Sequence, residues 1–192
     1  MWLKTSGTGA KVTYVRVDWL KKDVNDPHLT ILKKEWDTYV NDWKFSEIEW
    51  LFHKLEFRTI WEWKEARRVF SLSLMDEWEI YEVQCWFNSI GKNIINSLAS
   101  QSALGKISLS IYKNNKWFPS VTVRNNDVRA EWALSIDDQR SLTTAIKNPK
   151  TWETISNDYS DFEKKLEDLC KKFSTRNEQD ANNSVEDDVL FE

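Results

Sequence analysis

The stretch Ile48–Lys64, IEWLFHKLEFRTIWEWK, is the most informative in the chain. It is rich in aromatic and β-compatible residues. A two-residue period puts Leu51, His53, Leu55, Phe57, Thr59, Trp61 and Trp63 on one face. Its length predicts one long, curved strand, bulged along its course. Two shorter alternating runs follow. Val69–Met75 sets Phe70, Leu72 and Leu74 against Ser71 and Ser73, and Ile80–Phe87 sets Tyr81, Val83, Cys85 and Phe87 against Glu82, Gln84 and Trp86. At Ser89 the period changes. Ile90, Ile94, Ile95 and Leu98 fall at helical spacing, with Ser89 the expected N-cap and Gly105 the stop. Lys106–Tyr112 returns to period two, Asn114-Asn115 suits a turn, and Trp117–Arg124 forms the partner strand. A short strand is expected through Ala130, Glu131 and Trp132.

Three meander strands, a helix and a closing hairpin are the element order of an oligonucleotide/oligosaccharide-binding (OB) barrel. The expected fold class is therefore α+β: an OB-like five-stranded β-barrel with an inserted helix, C-terminal helices and a disordered acidic tail. Residues 1–133 read as the barrel domain with an N-terminal extension, in which Lys11–Leu20 is a strand and 27–45 is a short helix or an irregular connection. Residues 134–173 read as a helical segment. Within it, 137–147 is a helix opened by Ser135, and Tyr159–Phe173 is an amphipathic helix with Tyr159, Phe162, Leu166, Leu169, Cys170 and Phe173 on its stripe.

Composition narrows the function classes. Twelve Trp in 192 residues exceed what packing alone needs, so some rings are expected at the surface as stacking platforms or partner contacts. Ser174–Glu192 holds one base, Arg176, against six acids, so the net charge of −4 belongs to that tail and the body is close to neutral. The tail is rich in Asn, Gln and Ser, has no periodicity before its tip, and is expected to be disordered. No apolar run is long enough to span a membrane, and Met1–Ala10 lacks a signal-peptide core. A soluble, cytoplasmic protein is expected.

Catalysis finds no support. No phosphate-binding glycine loop, nucleophile elbow or zinc motif is present. Cys85 and Cys170 read as buried free thiols, and His53 as a core histidine on the apolar face of its strand. Glu47 with Glu49, and Asp137 with Asp138, read as solvated acids. The expectation is a non-enzyme with no metal and no cofactor.

Single-strand binders combine basic grooves with aromatic platforms. Bases and aromatics interleave twice: at Trp61, Trp63, Lys64, Arg67 and Arg68, and at Tyr112, Lys113, Lys116, Trp117 and Phe118, followed by Arg124. In an OB barrel these are the first-to-second strand connection and the fourth-to-fifth hairpin, which border one groove. Trp86, on the polar side of its strand, is a further platform candidate. The acids before an apolar tip, in SVEDDVLFE, suit a linear motif steered to a basic partner.

The OB order over residues 46–132, the hairpin YKNNKWFPSVTVRNN and the tail SVEDDVLFE together resemble the tail-bearing single-stranded DNA-binding proteins of bacteria and their phages. The resemblance implies cooperative, sequence-tolerant coating of single-stranded DNA in replication or recombination. It also implies recruitment of replication or recombination proteins through Asp187, Asp188, Leu190 and Phe191, in the cytoplasm of a bacterial host for a phage protein. The chain departs from the family in ending on Glu192 rather than on Phe. Two other readings remain: a protein-interaction or virion structural module that forms homo-oligomers through exposed Trp, and a carbohydrate-binding barrel.

Overall fold

A computed structural model of the chain describes residues 11–18, 28–35, 38–62, 65–77, 79–116 and 118–186; at 11, 18, 28, 33–35, 42, 61–62, 65–67 and 174–186 it describes the backbone alone. The elements are β1 (Lys11–Asp18), β2 (His28–Glu35), β3 (Thr38–Phe45), β4 (Glu47–Glu62), β5 (Glu65–Asp76), β6 (Glu79–Trp86), α1 (Ser89–Ala99), β7 (Lys106–Lys113), β8 (Pro119–Asn125), β9 (Val128–Arg129), α2 (Ile136–Ser141), β10 (Thr144–Lys147), β11 (Thr154–Asp158) and α3 (Ser160–Glu186). The chain is mixed α+β and mostly strand.

One nine-stranded sheet runs β3-β2-β1-β6-β5-β4-β7-β8-β9. The five consecutive strands β6-β5-β4-β7-β8 keep the expected meander and hairpin neighbours. The sheet is not closed. The pairing of β6 with β8 that would complete a five-stranded barrel does not occur among the described residues, because β1 runs parallel along that edge of β6, Val15 opposite Val83. Residues 11–18 are thus an integral part of the sheet, and within 27–45, expected as a short helix or an irregular connection, His28–Glu35 and Thr38–Phe45 form the antiparallel strands β2 and β3. The sheet nevertheless rolls: β2 packs against β4 and β7, four and five places away in the pairing order.

β4 shows why the face expected from strict alternation fails. Phe52 lies opposite Leu74 and Lys54 opposite Ser73, so His53 is an extra residue in the ladder. A bulge of one residue exchanges the two faces of a strand beyond it. The inward row is therefore Ile48, Trp50 and Phe52, then Leu55 and Phe57, while Leu51 is 52% exposed. His53 sits outside and is no core histidine.

The inward face meets two helices. Phe70, Leu72 and Leu74 of β5 and Val83 and Cys85 of β6 share one core with Ile90, Ile94, Ile95 and Leu98 of α1 and with Phe162, Leu166, Cys170 and Phe173 of α3. Each fully buried large side chain stabilises by about 1.5–3 kcal/mol, so α3 is part of the core. Both cysteines are free and buried, and burial pushes each thiol up to about 12. α1 starts one residue earlier than expected: Asn88, not Ser89, is the N-cap, its Oδ1 accepting from the Gly91 N–H at 2.9 Å. Gly91 is required by contact, since a Cβ there would collide with the Trp86 carbonyl oxygen.

The C-terminal third departs most from expectation. Ser135 does open a helix, through a capping box with Asp138, but α2 stops at Ser141. Residues expected to continue it form β10, which pairs with β11. β-branched Thr143, Thr144 and Ile146 favour a strand there. α3 runs to Glu186, so the backbone is helical over 174–186, where disorder was expected.

Candidate nucleic-acid interface

The β7–β8 hairpin turns Leu109, Ile111 and Val123 into the core and Tyr112, Ser120, Thr122 and Arg124 outward. Its tip is built by Asn114. The Asn114 Oδ1 accepts from the N–H groups of Lys116 (2.9 Å) and Phe118 (3.1 Å), and its Nδ2 donates to Ser120 Oγ (3.0 Å). Its own N–H donates to the Phe118 carbonyl at 2.9 Å. One side chain thus fixes the backbone of a cation and of a ring. Lys116 is exposed, Phe118 is 65% exposed and Tyr112 42%, with Thr122 Oγ1 donating to the Tyr112 hydroxyl at 3.4 Å. Trp117, expected in this cluster, lies outside the described residues.

Arg124 follows on the outward row, but a carboxylate engages it. It donates to Glu47 Oε1 at 3.1 Å and to Ser110 Oγ at 3.4 Å, while Ser108 Oγ donates to the same Glu47 oxygen at 2.6 Å. These hydroxyls, Ser108 first and then Ser110, hold the Glu47 carboxyl below its usual value against a small opposing effect of burial, and the Arg124 cation adds to the lowering.

The second basic cluster is not brought to the first. Ser110 pairs with Glu47 at the start of β4, and Ala66 pairs with Trp61 near its end. The two hairpin tips therefore lie at opposite ends of a 16-residue strand, roughly 50 Å apart along the chain at about 3.3 Å per residue before any bend. The side chains of Trp61 and Arg67, and Trp63 and Lys64 altogether, lie outside the described residues. Arg68 is held by α3: its guanidinium pairs with Glu167 and lies 6.0 Å from the centroid of the Phe87 ring.

Trp86 faces outward on β6, opposite Val69 and 37% exposed. Its row continues into a network that single residues did not announce. Glu82 accepts from Ser71 Oγ (2.6 Å) and Gln84 Nε2 (2.9 Å), and Arg58 lies 4.0 Å away. Glu56 pairs with Lys54 at 2.6 Å and with Arg58 at 2.5 Å. Burial opposes ionisation of Glu56, but the bonds from Lys54 and Arg58 outweigh it and hold the carboxyl low. Arg16 on β1 donates to Asn41 on β3 at 2.9 Å, and Tyr14 meets Tyr39 edge-on. The outward face of β1, β6, β5 and β4 is thus polar, aromatic and internally charge-balanced.

Sequence reading missed other exposed rings: Trp43 and Phe45 on β3, Trp132 after β9, and Trp152 in the β10–β11 turn, 74% exposed. Lys44 stands between Trp43 and Phe45, and Lys150 precedes Trp152 by two residues, but a single cation in each segment is a weaker signal than the multi-base runs of the two chosen clusters. Asp187, Asp188, Leu190 and Phe191 lie outside the described residues. Among the described residues no His, Cys, Asp and Glu cluster could hold a metal ion, and no helix is long and apolar enough to cross a membrane. No protein-family model, curated protein or solved structure matches the chain.

Proposed function

We propose that this protein binds single-stranded DNA without sequence preference, acts by binding and not by catalysis, and contacts replication or recombination proteins through Asp187, Asp188, Leu190 and Phe191. The observation that carries the reading is the Asn114-stitched hairpin tip, which presents Lys116 and Phe118 outward on a fixed backbone. Flat rings accept any base, and lysines attract phosphate regardless of sequence. The strands β4–β8 with α1 are read as an OB-like unit whose closing edge has been taken by β1. In this unit the outward face of β5 and β6, with Trp86, corresponds to the surface that OB folds use for oligonucleotides.

The test is titration of the full chain with dT oligonucleotides, read by Trp fluorescence. Quenching that weakens as salt rises supports the reading. Absence of quenching at low salt, in the full chain and in a chain ending at Phe173, refutes it. A second reading, a protein-interaction module, is favoured by the exposure of Trp43, Trp132 and Trp152.

A further inference from the structure

Residues 135–158 form an arm with no buried residue, made of α2, β10 and β11. Both ends of the arm are pinned to α1. At one end the Asn96 amide is bonded twice to Leu134, donating to its carbonyl and accepting from its N–H, each at 2.8 Å. At the other, the Lys92 ammonium lies 3.4 Å from the centroid of the Tyr159 ring. Leu142 packs against the core, while β10 and β11 beyond it are exposed at every residue. The arm is thus anchored at its base and offers its turn to solvent.

That turn repeats the construction of the β7–β8 tip. At the β7–β8 tip the Asn114 Oδ1 accepts from the Lys116 N–H at 2.9 Å, and the Asn114 N–H donates to the Phe118 carbonyl at 2.9 Å. In the arm the Asn148 Oδ1 accepts from the Lys150 N–H at 2.9 Å, and the Asn148 N–H donates one residue further on, to the Glu153 carbonyl at 2.8 Å. The Trp152 N–H closes the turn on the Asn148 carbonyl, also at 2.8 Å. Each tip therefore fixes a lysine two residues after an asparagine and an aromatic ring four residues after it. Lys150 is exposed as Lys116 is, and Trp152 is 74% exposed. Trp152 also has φ of 59°, a left-handed conformation rare for a bulky side chain and one that clusters at binding sites.

The charge of the arm suits an anionic partner. Residues 139–157 hold three cations, Arg140, Lys147 and Lys150, and a single acid, Glu153, whose carboxylate accepts from the Thr151 hydroxyl at 3.2 Å. Arg140 pairs with Asp137 at the base, so the positive excess sits towards the turn. A flat ring for a base and a cation for the phosphate beside it, the two requirements of a sequence-tolerant single-strand contact, are thus met a second time. We propose that the β10–β11 turn is a second contact for single-stranded DNA, with a base stacked on Trp152 and a backbone phosphate held by Lys150. This rests on the reading of the β7–β8 tip as a DNA contact. Two contacts on one body make binding bivalent, so a strand that reaches both turns is held more tightly than one that occupies either alone.

Titration of the full chain with poly(dT), together with ultraviolet crosslinking and mapping of the crosslinked peptides, tests this. Wild type is expected to crosslink through the peptide that carries Trp152. Trp152→Asn removes the ring and keeps the turn, because Asn adopts the left-handed conformation readily. It should raise the Kd for poly(dT) about 5- to 150-fold, with unchanged melting because the side chain is exposed. Lys150→Ala keeps the bond to Asn148, which uses the backbone N–H, and should make the slope of log K against log salt shallower by about 0.7. A Trp152→Asn protein that binds poly(dT) like wild type, while Phe118→Ala binds more weakly, overturns the second contact and leaves the first standing. A crosslink map that includes the β7–β8 tip and lacks Trp152 does the same. A wild type that does not bind poly(dT) at low salt overturns both contacts.

Discussion

Phe118 separates binding from folding more cleanly than any other residue of the β7–β8 tip. It is 65% exposed, so about a third of the ring is covered. Truncation should then change stability by no more than about 0.5 kcal/mol, the usual range for a surface site. A base stacked on the ring is worth about 1–3 kcal/mol, so Phe118→Ala should raise the Kd for a dT oligonucleotide roughly 5- to 150-fold. Asn114→Ala provides the contrast. It removes three side-chain hydrogen bonds at the tip, each near the low end of the 0.5–1.5 kcal/mol range because water can replace it. The variant should lose about 1.5 kcal/mol of stability as well as affinity. If Asn114 acts by holding Phe118, its effect on binding should shrink in the Phe118→Ala background, which a double-mutant cycle measures. Fluorescence titration at low salt reads the affinity and thermal melting reads the fold. A Phe118→Ala protein that melts like wild type and binds dT equally well refutes the assignment of the tip.

Three further outcomes follow from the fold. Gly91→Ala forces a Cβ against the Trp86 carbonyl and should cost about 1–3 kcal/mol in urea unfolding; an unchanged midpoint would be inconsistent with that contact. Glu47 has a lowered carboxyl pKa in the folded state. Its contribution is present above the usual carboxylate range and is lost as pH falls through the lowered value, so Glu47→Gln should show a shallower loss of stability in acid than wild type. His53 sits outside at the β4 bulge, so His53→Ala should shift stability by less than about 0.5 kcal/mol, whereas a large loss would return His53 to the core.

The strands were legible wherever alternation was uninterrupted. Phe70, Leu72 and Leu74 are inside as their period demands, and Phe162, Leu166, Cys170 and Phe173 bury the stripe their spacing draws. Alternation could not announce the bulge at His53, because one extra residue leaves the composition of the run unchanged while reversing its faces. Nor could it say which strand takes the free edge of β6. β8 and β1 are both β-branched and apolar on one side, and the choice is made by tertiary packing. The helix expected through Lys147 failed because Ser135–Asp138 is a strong start signal but Thr143 and Thr144 stop propagation. The Asn114 tip was legible as a turn. The engagement of Arg124 by Glu47, 77 residues away, and of Arg68 by Glu167, 99 away, was not, since partners so distant in sequence meet only in the folded chain.

These pairings have a consequence for binding. Arg124, Arg68, Arg58 and Lys54 each hold a carboxylate. Phosphate attraction in the proposed interface therefore falls first to Lys116 at the tip, with any further contribution coming from the separate β4–β5 connection. Each phosphate neutralised on a single strand contributes about −0.7 to the slope of log K against log salt. Lys116 alone predicts a slope near −0.7, and adding Lys64 and Arg67 would bring it to about −2.1. Lys116→Ala should make the slope shallower by about 0.7 and weaken binding uniformly over dT, dA and mixed sequences. A wild-type slope much steeper than about −3 would mean that DNA breaks the ion pairs of the outward sheet face on binding. The Glu56, Glu82 and Arg58 network would then be a switch and not a scaffold, which Glu82→Gln would expose by strengthening binding at low salt.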